Sequence, residues 1–126
     1  MKINKLDHLV LTVRNIEKTI LFYTSVMGME KEVFEQGRVS LKYGDQKINL
    51  HEVGKEIEPK ADKALPGSAD LCFITDTPIT EAMSRLKSFG IKIILGPVER
   101  TGAKGLILSI YFRDPDNNLI ELANES

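Results

Sequence analysis

Glu121 is the residue in this chain that most needs partners to explain it. It lies in Tyr111–Leu122, YFRDPDNNLIEL, where Asp114-Pro115-Asp116-Asn117-Asn118 has the composition of a tight turn. Pro115 presets φ near −65°, and Asn117 or Asn118 can take left-handed angles at low cost. Strands must therefore flank the turn. In LIEL, period two puts Leu119 and Glu121 on one face, with Ile120 and Leu122 on the other. A lone strand glutamate is ordinarily a solvated acid unless something pairs with it. The chain has only two histidines, His8 and His51, and one cysteine, Cys72. Each sits in a strand-like stretch. A single cysteine excludes an intrachain disulfide and a four-cysteine zinc site.

These side chains must be positioned by a repeated set of elements. Residues 2–13 read as a strand with Leu6, His8, Val10 and Thr12 on one face and aliphatic residues on the other. A helix follows, capped by Asn15, with Ile16, Ile20, Tyr23 and Met27 inward and Gly28 as its stop. Residues 30–34, 38–43 and 47–53 form three short strands, and Asn49 and His51 share a face. Residues 56–68, polar and holding Pro59, Pro66 and Gly67, form a linker in which the charge run is solvated. The order then begins again. Residues 69–75 are a strand carrying Asp70 and Cys72 on one face. Thr77 caps a helix with Pro78 first, Ile79, Ala82, Met83, Leu86 and Phe89 inward, and Gly90 as its end. Residues 91–95 form the next strand, 96–105 a loop, and 106–112 and 119–123 the closing strands.

Two landmarks share one offset: His8 maps to Asp70 (70 − 8 = 62) and Gly28 to Gly90 (90 − 28 = 62). That supports a duplicated module. Matching the last strands puts Asn49 opposite Glu121 (121 − 49 = 72), so the second module carries about ten extra residues, assigned to GPVERTGAKG.

At 126 residues, with 42% hydrophobic and 28% charged residues and a formal charge of −1, the chain describes one ordinary domain. Neither a nucleic-acid role nor a membrane role has support: there is no basic stripe, no signal-peptide block and no bilayer-length apolar run. The expected home is cytoplasmic.

The opening DHLVLTV, the repeated β-α-β-β-β order and the closing FRDPDNNLIEL together resemble the vicinal oxygen chelate superfamily. It includes glyoxalase I, fosfomycin-resistance enzymes, extradiol dioxygenases and bleomycin-binding proteins. The strings GDQKINLHEVGKE and RTGAKG are similar to its lactoylglutathione-lyase-like group. The resemblance implies an α+β fold of two tandem βαβββ modules, about 3–55 and 69–124, making one glyoxalase-like domain whose curved mixed sheets form a cup with helices outside. It also implies a homodimer and a small-molecule substrate.

Carried over by position, His8 and Glu121 fall on metal-ligand positions. Asp70 falls where many members have histidine, and Asn49 where glyoxalase-like members have glutamate or glutamine. His51 is a second candidate for the place of Asn49. Such nitrogen and oxygen ligands suit one divalent ion, Zn, Ni, Mn, Fe or Co. Chelation of two vicinal oxygens acidifies the adjacent C–H, and Glu121 is the implied base as well as a ligand. Asn49, which cannot act as a base, is left to bind substrate. Arg100, Lys104 and Arg113 lie in or beside the 96–105 loop, which could close over an anionic substrate or be an ordinary solvated hairpin loop.

The function expected from the resemblance is a metal-dependent lyase or isomerase of the glyoxalase I type. Its alternatives are an extradiol-type dioxygenase, a thiol transferase and a non-catalytic sequestration module. Cys72 reads more simply as a core cysteine than as a ligand.

Overall fold

A computed structural model describes residues 1–126. The chain is α+β and divides into two compact units, Met1–Ser68 and Ala69–Ser126. Each has the order βαβββ.

In the first unit, β1 (His8–Val13) pairs in parallel with β4 (Gln46–Glu52). β3 (Arg38–Tyr43) joins β4 and β2 (Glu30–Phe34) antiparallel, giving the sheet order β1-β4-β3-β2. Alternation along these strands makes two chemically different faces. Leu11, Val13, Leu41, Ile48 and Leu50 are buried on one of them. The helix that supplies the rest of this core begins at α1 (Ile16–Leu21) and continues as a wider π turn, Phe22–Val26. Asn15 caps it as expected, its Oδ1 accepting the Lys18 N–H at 3.0 Å. The buried stripe differs from the expected one. Thr19, Phe22, Tyr23 and Val26 are buried, while Ile16, Ile20 and Met27 are half-buried. An extra residue in the π turn rotates the following side chains relative to a regular 3.6-residue stripe. β1 begins at His8 rather than residue 2, and Ile3 and Leu6 are exposed.

The second unit repeats the topology. β5 (Asp70–Ile74) lies parallel to β8 (Leu119–Glu125), and β7 (Leu106–Arg113) and β6 (Leu95–Thr101) extend the sheet antiparallel in the order β5-β8-β7-β6. Helix α2 (Ile79–Ser88) buries Ile79, Ala82 and Leu86 and packs on β7 and β8. Its start is not capped by Thr77. Pro78 precedes the helix, and Asn124 of β8 reaches across to accept the Ile79 N–H at 2.8 Å and donate to the Thr75 and Thr77 carbonyls. Phe89, expected inward, is exposed, with the Arg85 guanidinium over its ring at 5.6 Å.

The largest correction concerns residues 91–105. Leu95–Thr101 is strand β6, and only Gly102–Gly105 is turn, closed by the Gly102 N–H to the Gly105 carbonyl at 2.7 Å. Gly96-Pro97 in the middle of the stretch reads as a strand breaker. In the fold it occupies a register shift between Leu95 and Val98, where a bulge tolerates both residues. Gly96 has φ of +112°, and a Cβ there would collide with the Ser109 carbonyl oxygen.

The ladders also locate the extra residues of the second module. Val10 pairs with Asn49, and Cys72 with Glu121, reproducing offsets of 62 and 72. Ser40 faces Glu32 and Asn49, while Tyr111 faces Leu95 and Glu121. The offset is therefore 63 at the second strand (95 − 32) and 71 at the third (111 − 40). Eight of the ten extra residues lie between those two points. They lengthen and bulge the β6–β7 hairpin instead of forming an open loop.

Candidate functional site

In the second module, Asp70 and Cys72 on β5 share a sheet face with Glu121 on β8 and with Ser109 and Tyr111 on β7. Glu121 is half-buried. The Ser109 hydroxyl, fully buried, donates to its Oε2 at 2.6 Å. A short bond from a neutral donor to a carboxylate is among the stronger protein hydrogen bonds. Cys72 stands directly opposite Glu121 in the parallel ladder. Its thiol is pushed up to about 11, first by partial burial and then by the Glu121 charge and hydrogen bond and by Asp70. Cys72 is exposed as a residue and protonated at neutral pH, so it is a neutral neighbour of Glu121 rather than a thiolate ligand.

The DPDNN turn sets this geometry. Asp114, Asp116 and Asn118 are buried, and Asn117 takes the left-handed conformation with φ of 65°. Asp114 Oδ1 accepts the backbone N–H groups of Asp116 and Asn118, each at 2.9 Å, and its Oδ2 accepts Asn118 Nδ2 at 2.8 Å. Asn118 Oδ1 in turn accepts the Ala69 N–H at 2.9 Å. A turn that looks solvated by composition is thus the clamp that registers β5, β7 and β8 against each other.

In the first module, His8 opens β1 with its Nδ1 2.8 Å from Asp7 Oδ1. That contact holds the Asp7 carboxyl below the usual range. A carboxylate on one ring nitrogen orients the other for use as a ligand. Asn49 and His51 are buried on the same face of β4. Burial, then the charge of Arg38, lowers the His51 pKa, against a smaller opposing effect of Glu56. Register separates the two histidines. His8 lies beside Lys47, whereas His51 lies beside Thr12, four residues further along. Roughly 13 Å of strand therefore divides them, and they do not share one ion within this module. Asn49, beside Val10, is the nearer to His8.

Each module thus offers a diagonal pair across its parallel strands: His8 with Asn49, and Asp70 with Glu121. No group of three or more His, Cys, Asp or Glu side chains is close enough to hold a metal ion. The donor types are nonetheless those that divalent ions take, imidazole nitrogen and carboxylate oxygen.

The three basic residues do not form one cluster. Arg100 is opposite Ile107 and donates through Nε to the Tyr111 hydroxyl at 3.0 Å, its guanidinium 5.6 Å from that ring. Lys104 is in the turn at the same end. Arg113 is opposite Leu119 and donates to the Asn117 carbonyl at 3.4 Å. Six residues of β7, roughly 20 Å, separate Ile107 from Arg113. Once 95–101 is strand, Arg100 points along a sheet and Arg113 marks its far end. Ser109 and Tyr111 complete the face around Glu121. In LILSIYF both fall on the face that the DPDNN turn brings opposite Glu121.

No helix is long and apolar enough to cross a membrane.

Residues 5–122 match the model of the Glyoxalase/Bleomycin resistance protein/Dioxygenase superfamily. Virulence protein STM3117 of Salmonella typhimurium is 57% identical over 123 residues, 98% of this chain and 85% of that protein. Its crystal structure superposes with a TM-score of 0.98 at 56% identity and full coverage of both chains. An integron cassette protein of V. cholerae also superposes with a TM-score of 0.98 at 56% identity, covering 100% of this chain and 98% of that one. A glyoxalase domain-containing protein, RDO1, of Mycosarcoma maydis is 55% identical over 124 residues, 98% of this chain and 70% of that protein. The duplicated βαβββ module and the match over almost the whole chain agree, and the chain belongs to the Glyoxalase/Bleomycin resistance protein/Dioxygenase superfamily.

Proposed function

We propose that the protein is a metal-dependent lyase or isomerase of the glyoxalase I type, acting on a small oxygenated substrate. The candidate ligands are His8 in the first module and Asp70 and Glu121 in the second, imidazole nitrogen and carboxylate oxygen of the kinds that a divalent ion, Zn, Ni, Mn, Fe or Co, takes. Such an ion supplies polarisation of two vicinal substrate oxygens, which acidifies the carbon-bound proton between them. The observation that carries the reading is the environment of Glu121: a half-buried carboxylate, anchored by Ser109 at 2.6 Å, on a face it shares with Asp70. Glu121 accepts the proton at its carboxylate and returns it to the neighbouring carbon. Asn49 holds the corresponding place in the first module and cannot accept a proton, so the work falls to one carboxylate. Asn49, Arg100, Lys104 and Arg113 remain available to substrate, and a cytoplasmic homodimer goes with the reading.

The deciding measurement is elemental analysis of the purified protein beside His8→Ala and Glu121→Ala. Near-stoichiometric metal in the parent and its loss in both variants supports the assignment and justifies screening hemithioacetals and epimerisable acyl compounds. No metal in the parent, with none taken up on reconstitution, sinks the enzyme reading and favours small-molecule sequestration.

A further inference from the structure

Asp7 and His8 are neighbours in sequence, and strand alternation would send their side chains to opposite faces. Instead, His8 Nδ1 lies 2.8 Å from Asp7 Oδ1. The contact forms because β1 begins at His8, so Asp7 belongs to the stretch leading into the strand and escapes its pleat. That stretch is tied down. Gln46 Nε2 donates to the Leu6 carbonyl at 2.7 Å, the Lys47 N–H donates to the Asp7 carbonyl at 3.4 Å, and the Lys5 ammonium meets Asp45 Oδ2 at 3.1 Å. All three anchors lie at the start of β4 or in the turn before it, so residues 5–7 form a strap across the β3–β4 turn.

The same surroundings leave the Asp7 carboxylate to His8. The two lysines whose charges reach it are engaged elsewhere. Lys5 is paired with Asp45, and Lys47, directly opposite His8 in the ladder, holds its ammonium 4.0 Å from the Phe34 ring centroid. An ionised carboxylate only accepts, so the ring nitrogen facing it must carry the hydrogen. A neutral His8 is then the Nδ1–H tautomer, and Nε2 presents its lone pair. Stability does not explain the arrangement. The two side chains are 45% and 78% exposed, and an exposed pair of this kind contributes little to folding. A bond that does little for stability but decides which nitrogen is bare is what a metal-ligating imidazole requires.

We propose that Asp7 is a positioning residue for His8: held by the strap, it fixes the imidazole in the Nδ1–H form and makes Nε2 the atom offered to a metal ion. Gln46 acts one step further out, through the strap alone. The offer of Nε2 to a metal rests on the metal-dependent reading, whereas the tautomer is a property of the metal-free chain.

The test uses the full-length, metal-free, isotope-labelled protein and two readouts. The first is the long-range proton–nitrogen NMR spectrum of the imidazoles under alkaline conditions, where a bare ring nitrogen and an N–H nitrogen resonate far apart. His8 is expected as the Nδ1–H form. Asp7→Ala should shift it toward Nε2–H, Gln46→Ala should shift it partway, and Asp7→Asn, which retains an acceptor oxygen, should restore the parent pattern. The His51 signals should not move in any variant. The second readout is calorimetric titration with a zinc salt alone. Asp7→Ala should bind about 10- to 100-fold more weakly, Gln46→Ala about 2- to 10-fold more weakly, and Asp7→Asn should recover most of the loss. Denaturation midpoints of the Asp7 variants should stay at the parent value. An Nε2–H form in the parent, a tautomer indifferent to Asp7→Ala, or a zinc affinity unchanged by that substitution would overturn the proposal and reduce the pair to a surface contact. A parent that shows the Asp7-dependent tautomer but takes up no zinc would sink the metal-dependent reading instead, and would support Asp7 as the residue that orients His8.

Discussion

The two modules share topology, register and the diagonal placement of polar residues across their parallel strands, yet they treat those residues in opposite ways. In the second module, the carboxylate of Glu121 is tied down by Ser109, and the turn before β8 is a buried network around Asp114. In the first, Asn49, its opposite neighbour Ser40 and the nearby His51 are likewise buried but leave polar atoms unpaired. The β3–β4 turn there is an exposed Gly44-Asp45 pair, held by Lys5 at 3.1 Å on the surface. Duplication thus produced one face organised around holding a charge in place and another organised around open hydrogen-bonding capacity. Similar backbones with different polar satisfaction do different work.

The sharpest way to break that contrast is at the turns. Asp114→Ala removes the acceptor of three hydrogen bonds from a buried site and should cost about 3 kcal/mol or more in chemical denaturation. Asp45→Ala, at an exposed ion pair, should leave the denaturation midpoint unchanged. Equal losses at the two turns would mean that the modules are not differently built.

Next come the polar partners. Ser109→Ala leaves a part-buried carboxylate short of a donor and should cost about 1–3 kcal/mol. It should also weaken metal retention in the elemental assay, since Glu121 loses its orientation. Asn49→Leu, which removes an unpartnered acceptor, should be neutral or stabilising in the same denaturation series.

A smaller effect is pH-dependent. The His51 pKa is lowered in the fold, so the unfolded chain binds the proton more readily. The contribution is fully present above the unfolded value near 6.5 and is lost as pH falls through the lower folded value. A pH series of melts should therefore decline below about 6.5, and His51→Phe should flatten that decline. A stability that rises on acidification would contradict the burial of a neutral imidazole.

The smallest is a rate. With its thiol pushed up to about 11, Cys72 should alkylate slowly at pH 8 despite its exposure. Glu121→Gln removes the neighbouring negative charge and should accelerate iodoacetamide labelling severalfold. An unchanged rate would detach Cys72 from the Glu121 cluster.

Much of this was determined by sequence alone, because strand alternation and turn chemistry are local. Period two put His8, Asp70 and Glu121 on like faces of corresponding strands. The Pro115 and Asn117 turn joined β7 to β8, and the offsets of 62 and 72 aligned the modules. Local signals failed where ladder bonds or distant atoms decide. Gly96-Pro97 hid strand β6, because a bulge absorbs residues that single-strand propensity rejects. Thr77 lost the helix cap to Asn124, which is 45 residues from Ile79. The choice between Asn49 and His51 as neighbour of His8 depended on the parallel register of β1 and β4, which no stretch of either strand encodes by itself. Which polar atoms are paired was likewise a tertiary matter. Ser109 reaches Glu121 and Ser40 does not satisfy Asn49, because pairing depends on ångström-scale placement between strands, while sequence specifies only the face on which each side chain lies.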